Sequence, residues 1–140
     1  MASFSTQRRS GAEVRREEFG PELTGKIIAL AIDVHRQLGP GLLESVYEKC
    51  LAWELEHNGF TFARQVDLAI SYRDVQIASG HRVDIIVENQ VVLELKAVEH
   101  LLPIHEAQTR TYLRLSGCKV GLLMNFNTVL LKDGIRRIIP

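Results

Sequence analysis

The feature that most constrains this chain is a pair of charges inside a β-rich, apolar run at residues 91–98. Glu94 and Lys96 interrupt a run that is otherwise built from valine, leucine and alanine. At the two-residue period of a strand, both charges fall on one face and the flanking leucines fall on the other. Charged side chains on an apolar strand are usually paired or bound to a metal, because burying a lone charge is costly.

A second acid, Asp84, lies in the preceding strand-like run, and residues 88–90 form the predicted tip of a hairpin between the two runs. An odd-numbered loop of this kind turns Asp84 and Glu94 to the same face, whereas a two-residue loop would separate them. Hard divalent cations such as Mg²⁺ choose oxygen ligands and need only one or two protein carboxylates. The two acids and the neighbouring lysine therefore predict a candidate cation site.

Length, composition and charge limit the class of protein. The 140 residues are 46% hydrophobic and 24% charged, which predicts one domain over residues 21–140 after a flexible, Arg- and Glu-rich tail at residues 1–20. The formal net charge is zero, so binding to phosphate requires a local cluster or a cation. The chain lacks a membrane-length apolar stretch and its start lacks the apolar core of a secretory signal, so we expect a cytoplasmic protein without membrane contact.

The apolar periodicity changes along the chain from helical to two-residue spacing and back. It predicts two helices, then antiparallel strands, a third helix and closing strands; the predicted ranges are 24–38, 42–58, 66–72, 75–87, 91–98, 104–116, 120–124, 128–131 and 135–139. The second helix is expected to bury an inner stripe that includes Leu43. This order predicts an α/β or α+β fold with a mixed sheet.

Two helical residues have both a structural and a functional interpretation. Glu44 shares a helix face with Tyr47 and Glu48, and by itself is either an acid favoured by the helix dipole or a site residue. Gln108 lies on a stripe with Ile104 and Tyr112 that we expect to face the sheet, so an amide replaces an apolar side chain. In isolation, a boundary glutamine that bonds to a backbone carbonyl is the better interpretation of Gln108.

Arg82 stands two positions before Asp84 and projects to the same face of a regular strand. It could hold a phosphate group of a substrate, or it could simply pair with the acid.

Several ordered motifs resemble the GxxExxY proteins. The signature is met by Gly41, Glu44 and Tyr47, and the similarity continues through residues 81–84, 93–99, 105–108 and 121–126, so that it covers roughly residues 23–140. Those proteins are grouped with the PD-(D/E)XK nuclease superfamily. The resemblance implies an α/β, restriction-endonuclease-like core, in which a central mixed β-sheet is flanked by helices, with a Mg²⁺-dependent phosphodiesterase site.

By this resemblance, Asp84 and Glu94 would ligate the metal, with Glu44 as a further ligand, and Lys96 would be the catalytic lysine. Glu44 and Gln108 would be the accessory helix residues of the site. We also expect substrate contacts from Arg82 and Tyr47. The sequence departs from the superfamily name at one position, because Val83 stands where that name has proline.

The leading interpretation is a metal-dependent nuclease that hydrolyses a phosphodiester bond, expected in DNA, through a water activated by Mg²⁺ or Mn²⁺. The alternative is a non-catalytic interaction module that keeps the nuclease fold. The neutral charge and small size favour the alternative, unless a homodimer or a protein partner adds surface for gripping a duplex. The intact set of Asp84, Glu94 and Lys96 favours the enzyme.

Overall fold

Residues 21–140, which the computed structural model describes, form three α-helices, five β-strands and one short 3₁₀ helix. The predicted tail at residues 1–20 lies outside this range. In chain order the elements are α1 (Pro21–Leu38), α2 (Glu44–His57), β1 (Phe62–Tyr72), β2 (Val75–Val87), β3 (Val91–Lys96), α3 (Pro103–Ser116), β4 (Val120–Asn125), the 3₁₀ helix (Leu131–Gly134) and β5 (Ile135–Ile138).

The five strands form one sheet in the order β1-β2-β3-β4-β5. The central pair, β3 and β4, is parallel and is connected through α3, while the other three pairs are antiparallel. The predicted mixed sheet flanked by helices is therefore confirmed. Strand β3 pairs with β4 over its whole length but with β2 only over residues 91–93, so Glu94 and Lys96 lie where β2 and β3 separate.

The helices cover both faces of this sheet. On one face, α1 and α2 pack Ile27 and Leu51 against Leu93 in a large apolar cluster. On the other face, α3 packs Leu113 against Val92 in a second cluster. Alternation along β3 therefore puts Glu94, two residues after Val92, on the face that α3 covers. None of the described helices is long and apolar enough to cross a membrane.

Helix ends follow the local signals in the sequence. The first helix ends at Leu38, where Gly39 takes the left-handed conformation with φ of 71°, and α3 ends at Ser116 before Gly117 with φ of 76°. Glycine adopts this conformation without a Cβ penalty. The start of α1 differs from the prediction, because the helix begins three residues before Thr24, at Pro21. Proline suits a first helical position, which has no intrahelical partner for an N–H.

Three local predictions were wrong. Leu43 is 75% exposed because it precedes α2, and Ile104 is 56% exposed because α3 instead buries Thr109, Tyr112 and Leu113. The predicted strand at residues 128–131 is absent from the described chain. A ring nitrogen of His35 donates to the carbonyl oxygen of Thr128 at 2.8 Å, so that carbonyl bonds to a side chain and not to a neighbouring strand.

The outer parts of β1 and β2 extend beyond the rest of the sheet as a two-stranded ribbon. The pairing of β2 with β3 covers only Ile85 to Val87, so the earlier part of β2 pairs with β1 alone. In the ribbon, Ile70 pairs with Ile77 and all four residues of the two outermost apolar pairs are exposed: Ile70, Tyr72, Val75 and Ile77.

The contact between α3 and β4 generates a prediction about Gly121. A Cβ added to Gly121 would lie 2.8 Å from the Cγ2 atom of Thr109, which is fully buried and hydrogen-bonded to the His105 carbonyl oxygen. We expect Gly121→Ala to lower the free energy of unfolding by about 1–3 kcal/mol, because the crowded core must shift. Urea denaturation measures the change.

Gly25→Ala is the matched control. Gly25 lies inside α1, and nothing stands within 4 Å of the Cβ that the substitution adds. The same change should therefore stabilise the protein by about 0.5–1 kcal/mol, since alanine is the better helix former. Equal effects of the two substitutions would contradict the close contact between α3 and β4.

Candidate active site

The register of the β2–β3 hairpin brings Asp84 and Glu94 to the same face. In this pairing Ile85 stands opposite Leu93, and continuing the register by one pair sets Asp84 opposite Glu94. The connection consists of residues 88–90, which confirms the prediction of an odd-numbered loop. The charge of Asp84 raises the pKa of Glu94, and the backbone N–H of Leu95 donates to Asp84 Oδ2, so the two carboxylates are neighbours.

The turn is held in its conformation by Glu88. Glu88 and Asn89 both have φ of 54°, an unfavourable conformation for residues other than glycine. A carboxylate oxygen of Glu88 accepts hydrogen bonds from the backbone N–H and the hydroxyl of Thr61, at 2.8 and 2.9 Å. These bonds tie the turn to the start of β1 and favour the register that the site requires.

The carboxylate of Asp84 is hydrogen-bonded to the strand that carries Glu94. The backbone N–H of Leu95 donates to its Oδ2 atom at 2.8 Å. Burial raises the pKa of Asp84 above its usual value; the Leu95 hydrogen bond lowers it, and the negative charges of Glu48 and Glu44 raise it. Asp84 is thus surrounded by other acids at a place with little solvent.

Glu94 is the most perturbed acid of this group. Its residue is 6% exposed, and Lys96 Nζ lies 3.7 Å from its Oε2 atom. The other oxygen, Oε1, is buried without a hydrogen-bond partner among the described residues. Burial, followed by the charge of Asp84, raises the pKa of Glu94 to about 8, although Lys96 acts to lower it. Burial and the neighbouring acid therefore outweigh Lys96, and the Glu94 carboxyl holds its proton more strongly than a free carboxyl does.

Tyr112 on α3 is electrostatically coupled to the same acids. Burial, and then the charges of Glu94 and Asp84, raise the pKa of Tyr112 to about 12. Its hydroxyl is therefore a neutral hydrogen-bonding group at physiological pH. The sequence prediction treated Tyr112 only as a core residue, because a tyrosine on a helical apolar stripe carries no sign of the acids that it will face.

Helix α2 contributes two acids that bond to different strands. The backbone N–H of Ala97, just after β3, donates to Glu44 Oε2 at 3.1 Å. Glu48 is 7% exposed and accepts hydrogen bonds from Arg64 Nε at 3.0 Å and Gln65 Nε2 at 2.8 Å. Arg64 and Gln65 were not predicted as site residues, because polar residues on an outer strand resemble any solvated strand face.

Tyr47 is fully buried. Its hydroxyl donates to the Gly39 carbonyl oxygen at 2.6 Å and accepts from the Leu42 backbone N–H at 3.1 Å, while its ring stacks on Phe126 with centroids 4.5 Å apart. The side chain closes the loop between α1 and α2. The expectation that Tyr47 contacts substrate does not fit this burial.

The other two predicted site residues, Arg82 and Gln108, make no hydrogen bond to Asp84 or Glu94. Arg82 bonds to Asp67 on β1 at 2.9 Å, so it pairs with an exposed acid and not with Asp84. Gln108 is half-buried, and its side chain makes no hydrogen bond to another described residue. It lies one helical turn before Tyr112, so both share the α3 face that looks toward the acids.

The acids fit a divalent cation with few protein ligands. Within residues 21–140, no three or more His, Cys, Asp or Glu side chains are grouped so that they could hold a metal ion. Glu44 is therefore not assembled with Asp84 and Glu94 into a three-carboxylate site. Two carboxylates are nevertheless enough for Mg²⁺, which keeps several waters. The unpartnered, buried Glu94 Oε1 atom is the feature that a cation would satisfy.

The raised pKa of Glu94 generates a prediction about stability and pH. The pKa is about 8 in the folded state and 4.5 for the unperturbed group, so between these values the folded protein binds more protons than the unfolded protein. The free energy of unfolding therefore falls as pH rises through this range. In the presence of a chelator, we expect the melting temperature to decrease from pH 5 to pH 8 and Glu94→Gln to reduce that slope.

Glu99→Gln is the matched control, since the Glu99 side chain is 92% exposed. This substitution should leave the slope as it is in the parent protein. A parent protein that becomes more stable from pH 5 to pH 8 would show that Glu94 titrates at an ordinary value.

The fold is similar to that of a solved protein. The crystal structure of SSO0001 matches with a TM-score of 0.51 and 20% sequence identity, over 91% of this chain and 61% of that chain. At this identity the similarity concerns the fold alone, and this chain spans less than two thirds of the length of SSO0001. No curated protein matches the chain.

A family model supplies the sequence relationship. The model of the PD-(D/E)XK nuclease superfamily matches residues 21–138, a range that includes all three helices, all five strands and the cluster of acids around Glu94. The chain therefore belongs to the PD-(D/E)XK nuclease superfamily.

Proposed function

We propose that this chain is a divalent-cation-dependent nuclease that hydrolyses phosphodiester bonds in DNA. The observation that carries the proposal is the buried Glu94 carboxyl, which lies close to Asp84 and Lys96 and has one oxygen without a hydrogen-bond partner among the described residues. The large majority of buried polar side-chain atoms have at least one hydrogen-bond partner, so this oxygen is an exception that a bound cation would explain. The superfamily of the chain supports the nuclease class, since its members are generally hydrolytic nucleases.

Each residue of the cluster has a distinct role in this proposal. Asp84 and Glu94 would hold Mg²⁺ or Mn²⁺, and the cation would make a water more acidic and offset charge on the phosphate. Lys96 is 3.7 Å from Glu94 and would donate to a phosphate oxygen as negative charge develops there. Glu44 borders the cluster at the end of β3 and adds to the negative potential that attracts a cation.

The GxxExxY assignment is also part of the proposal, and the geometry gives its three residues a physical role. Gly41 has φ of 101° in the loop between α1 and α2, and Tyr47 closes that loop from inside. Glu44 bonds to the backbone directly after β3. The motif thus joins the loop to the strand of the proposed site. We further propose that residues 21–140 act as one nuclease-like domain.

Removal of the carboxylates should separate binding of the cation from folding. Asp84→Asn and Glu94→Gln remove mutually repelling charges, so we expect melting temperatures at pH 8 that are unchanged or raised, together with loss of Mn²⁺ binding. Isothermal titration and thermal denaturation measure the two quantities. Large losses of stability with Mn²⁺ affinity intact would mean that the acids form a structural ion pair with Lys96.

Replacement of Lys96 tests catalysis directly. Its ammonium group would act mainly on charge that develops in the transition state, so Lys96→Ala should slow single-turnover cleavage by about 10²-fold while substrate affinity changes only a few-fold. Cleavage and equilibrium binding are measured with Mg²⁺ on single-stranded, duplex and branched DNA, and on RNA.

Lys49→Ala is the matched control, because Lys49 is exposed on α2. It should leave the cleavage rate unchanged. If the parent protein cleaves none of the substrates with Mg²⁺ or Mn²⁺, the nuclease proposal is wrong. Weaker capture of a protein partner by Lys96→Ala would then support the non-catalytic interaction module.

A further inference from the structure

Strand β1 contains one residue in an unfavourable backbone conformation directly beside the proposed site. Arg64 pairs with Ile85 and Val66 pairs with Val83, so Gln65 stands across from Asp84 in the register. Gln65 has φ of 50°, whereas strand residues normally have negative values. A residue other than glycine in this region costs about 1–3 kcal/mol and persists only where its surroundings hold it.

The surroundings that hold Gln65 are two carboxylates. Its side-chain nitrogen donates to Glu48 Oε1 at 2.8 Å, and the same nitrogen lies 3.5 Å from Asp84 Oδ1. Ionised carboxylates only accept hydrogen bonds, so the amide must turn its NH₂ group, and not its oxygen, toward them. The short bond to Glu48 is the anchor, and the longer contact directs the second N–H toward Asp84.

Glu48 is itself fixed on both sides. Its second oxygen accepts from Arg64 Nε at 3.0 Å, and the Glu48 side chain is 9% exposed. A chain of side-chain contacts therefore runs from Arg64 on β1 to Glu48 on α2. From Glu48 it returns to Gln65 on β1 and ends at Asp84 on β2. We call this chain the β1 clamp.

The β1 clamp completes the orientation of Asp84. The Leu95 backbone N–H holds Oδ2 at 2.8 Å, and the Gln65 amide faces Oδ1. Hydrogen bonds to both oxygens of a carboxylate limit its rotation. The amide also lies between two negative groups, Glu48 and Asp84, and donates toward each of them, which offsets their repulsion.

We propose that Gln65 is a positioning residue that orients Asp84 for the cation, with Glu48 and Arg64 as its anchor. This inference rests on the proposed function, because it assigns Gln65 a role in the site formed by Asp84 and Glu94. Groups that orient metal ligands through hydrogen bonds typically change metal affinity or activity by about 10–100-fold when they are removed. The unfavourable positive φ of Gln65 is explained if this backbone conformation is what places its amide between Glu48 and Asp84.

Gln65→Gly separates this role from a structural one. Glycine adopts positive φ without strain, so the variant loses the amide while the backbone conformation becomes easier to form. We expect a melting temperature close to that of the parent, because the relief of strain offsets the lost hydrogen bond to Glu48. Mn²⁺ affinity should weaken by about 10-fold or more and single-turnover cleavage should be slower, with a KM for DNA within a few-fold of the parent. Isothermal titration with Mn²⁺ alone gives the affinity without any dependence on activity.

Arg73→Gly is the matched control, since Arg73 also has positive φ, 53°, in the turn between β1 and β2. It relieves the same kind of strain away from the acids and should leave Mn²⁺ affinity unchanged. If the parent binds Mn²⁺ and cleaves DNA, and Gln65→Gly matches it in both, the positioning role is wrong and the proposed function stands. If the parent neither binds Mn²⁺ nor cleaves DNA, the proposed function and the positioning role of Gln65 are both wrong.

Discussion

The proposed site depends on the register of one β-hairpin. Asp84 and Glu94 lie on different strands, and a shift of one residue between β2 and β3 would turn Asp84 to the opposite face of the sheet. The turn at residues 88–90 includes two residues with positive φ, and hydrogen bonds from Thr61 to Glu88 stabilise it. The conformation of this turn thus contributes to setting the positions of the two carboxylates relative to each other.

Most of the fold was predictable because its signals are local. The two-residue period of β3, the turn before it and the glycines that end the helices can each be read within a few positions, and the structure confirms them. The strand predicted at residues 128–131 was wrong because the competing partner, His35, is 93 positions away. Contacts over such separations leave no periodic pattern in the sequence.

In the candidate site, too, residues with a local sequence signal were predictable and residues that depend on distant contacts were not. Asp84, Glu94 and Lys96 stand out in the sequence because charges inside an apolar strand are unusual, and the structure brings all three together. Gln65 could not be predicted in the same way, because its proposed role rests on contacts with Glu48 on α2 and Asp84 on β2. For Tyr47 the sequence suggested a function that the structure does not support. We expected this motif residue to contact substrate, but it is buried and its hydroxyl bonds to the backbone of the loop between α1 and α2.

The pKa of Glu94, about 8, has a consequence for how the site fills. A carboxyl with this pKa retains its proton at neutral pH, so the cation that we propose would have to displace it. In the proposed site, binding of the cation would then be an exchange, in which a proton leaves as the cation arrives. Proton release on loading would therefore make the apparent affinity for the cation rise with pH, and acidification would favour the protonated site over the loaded one.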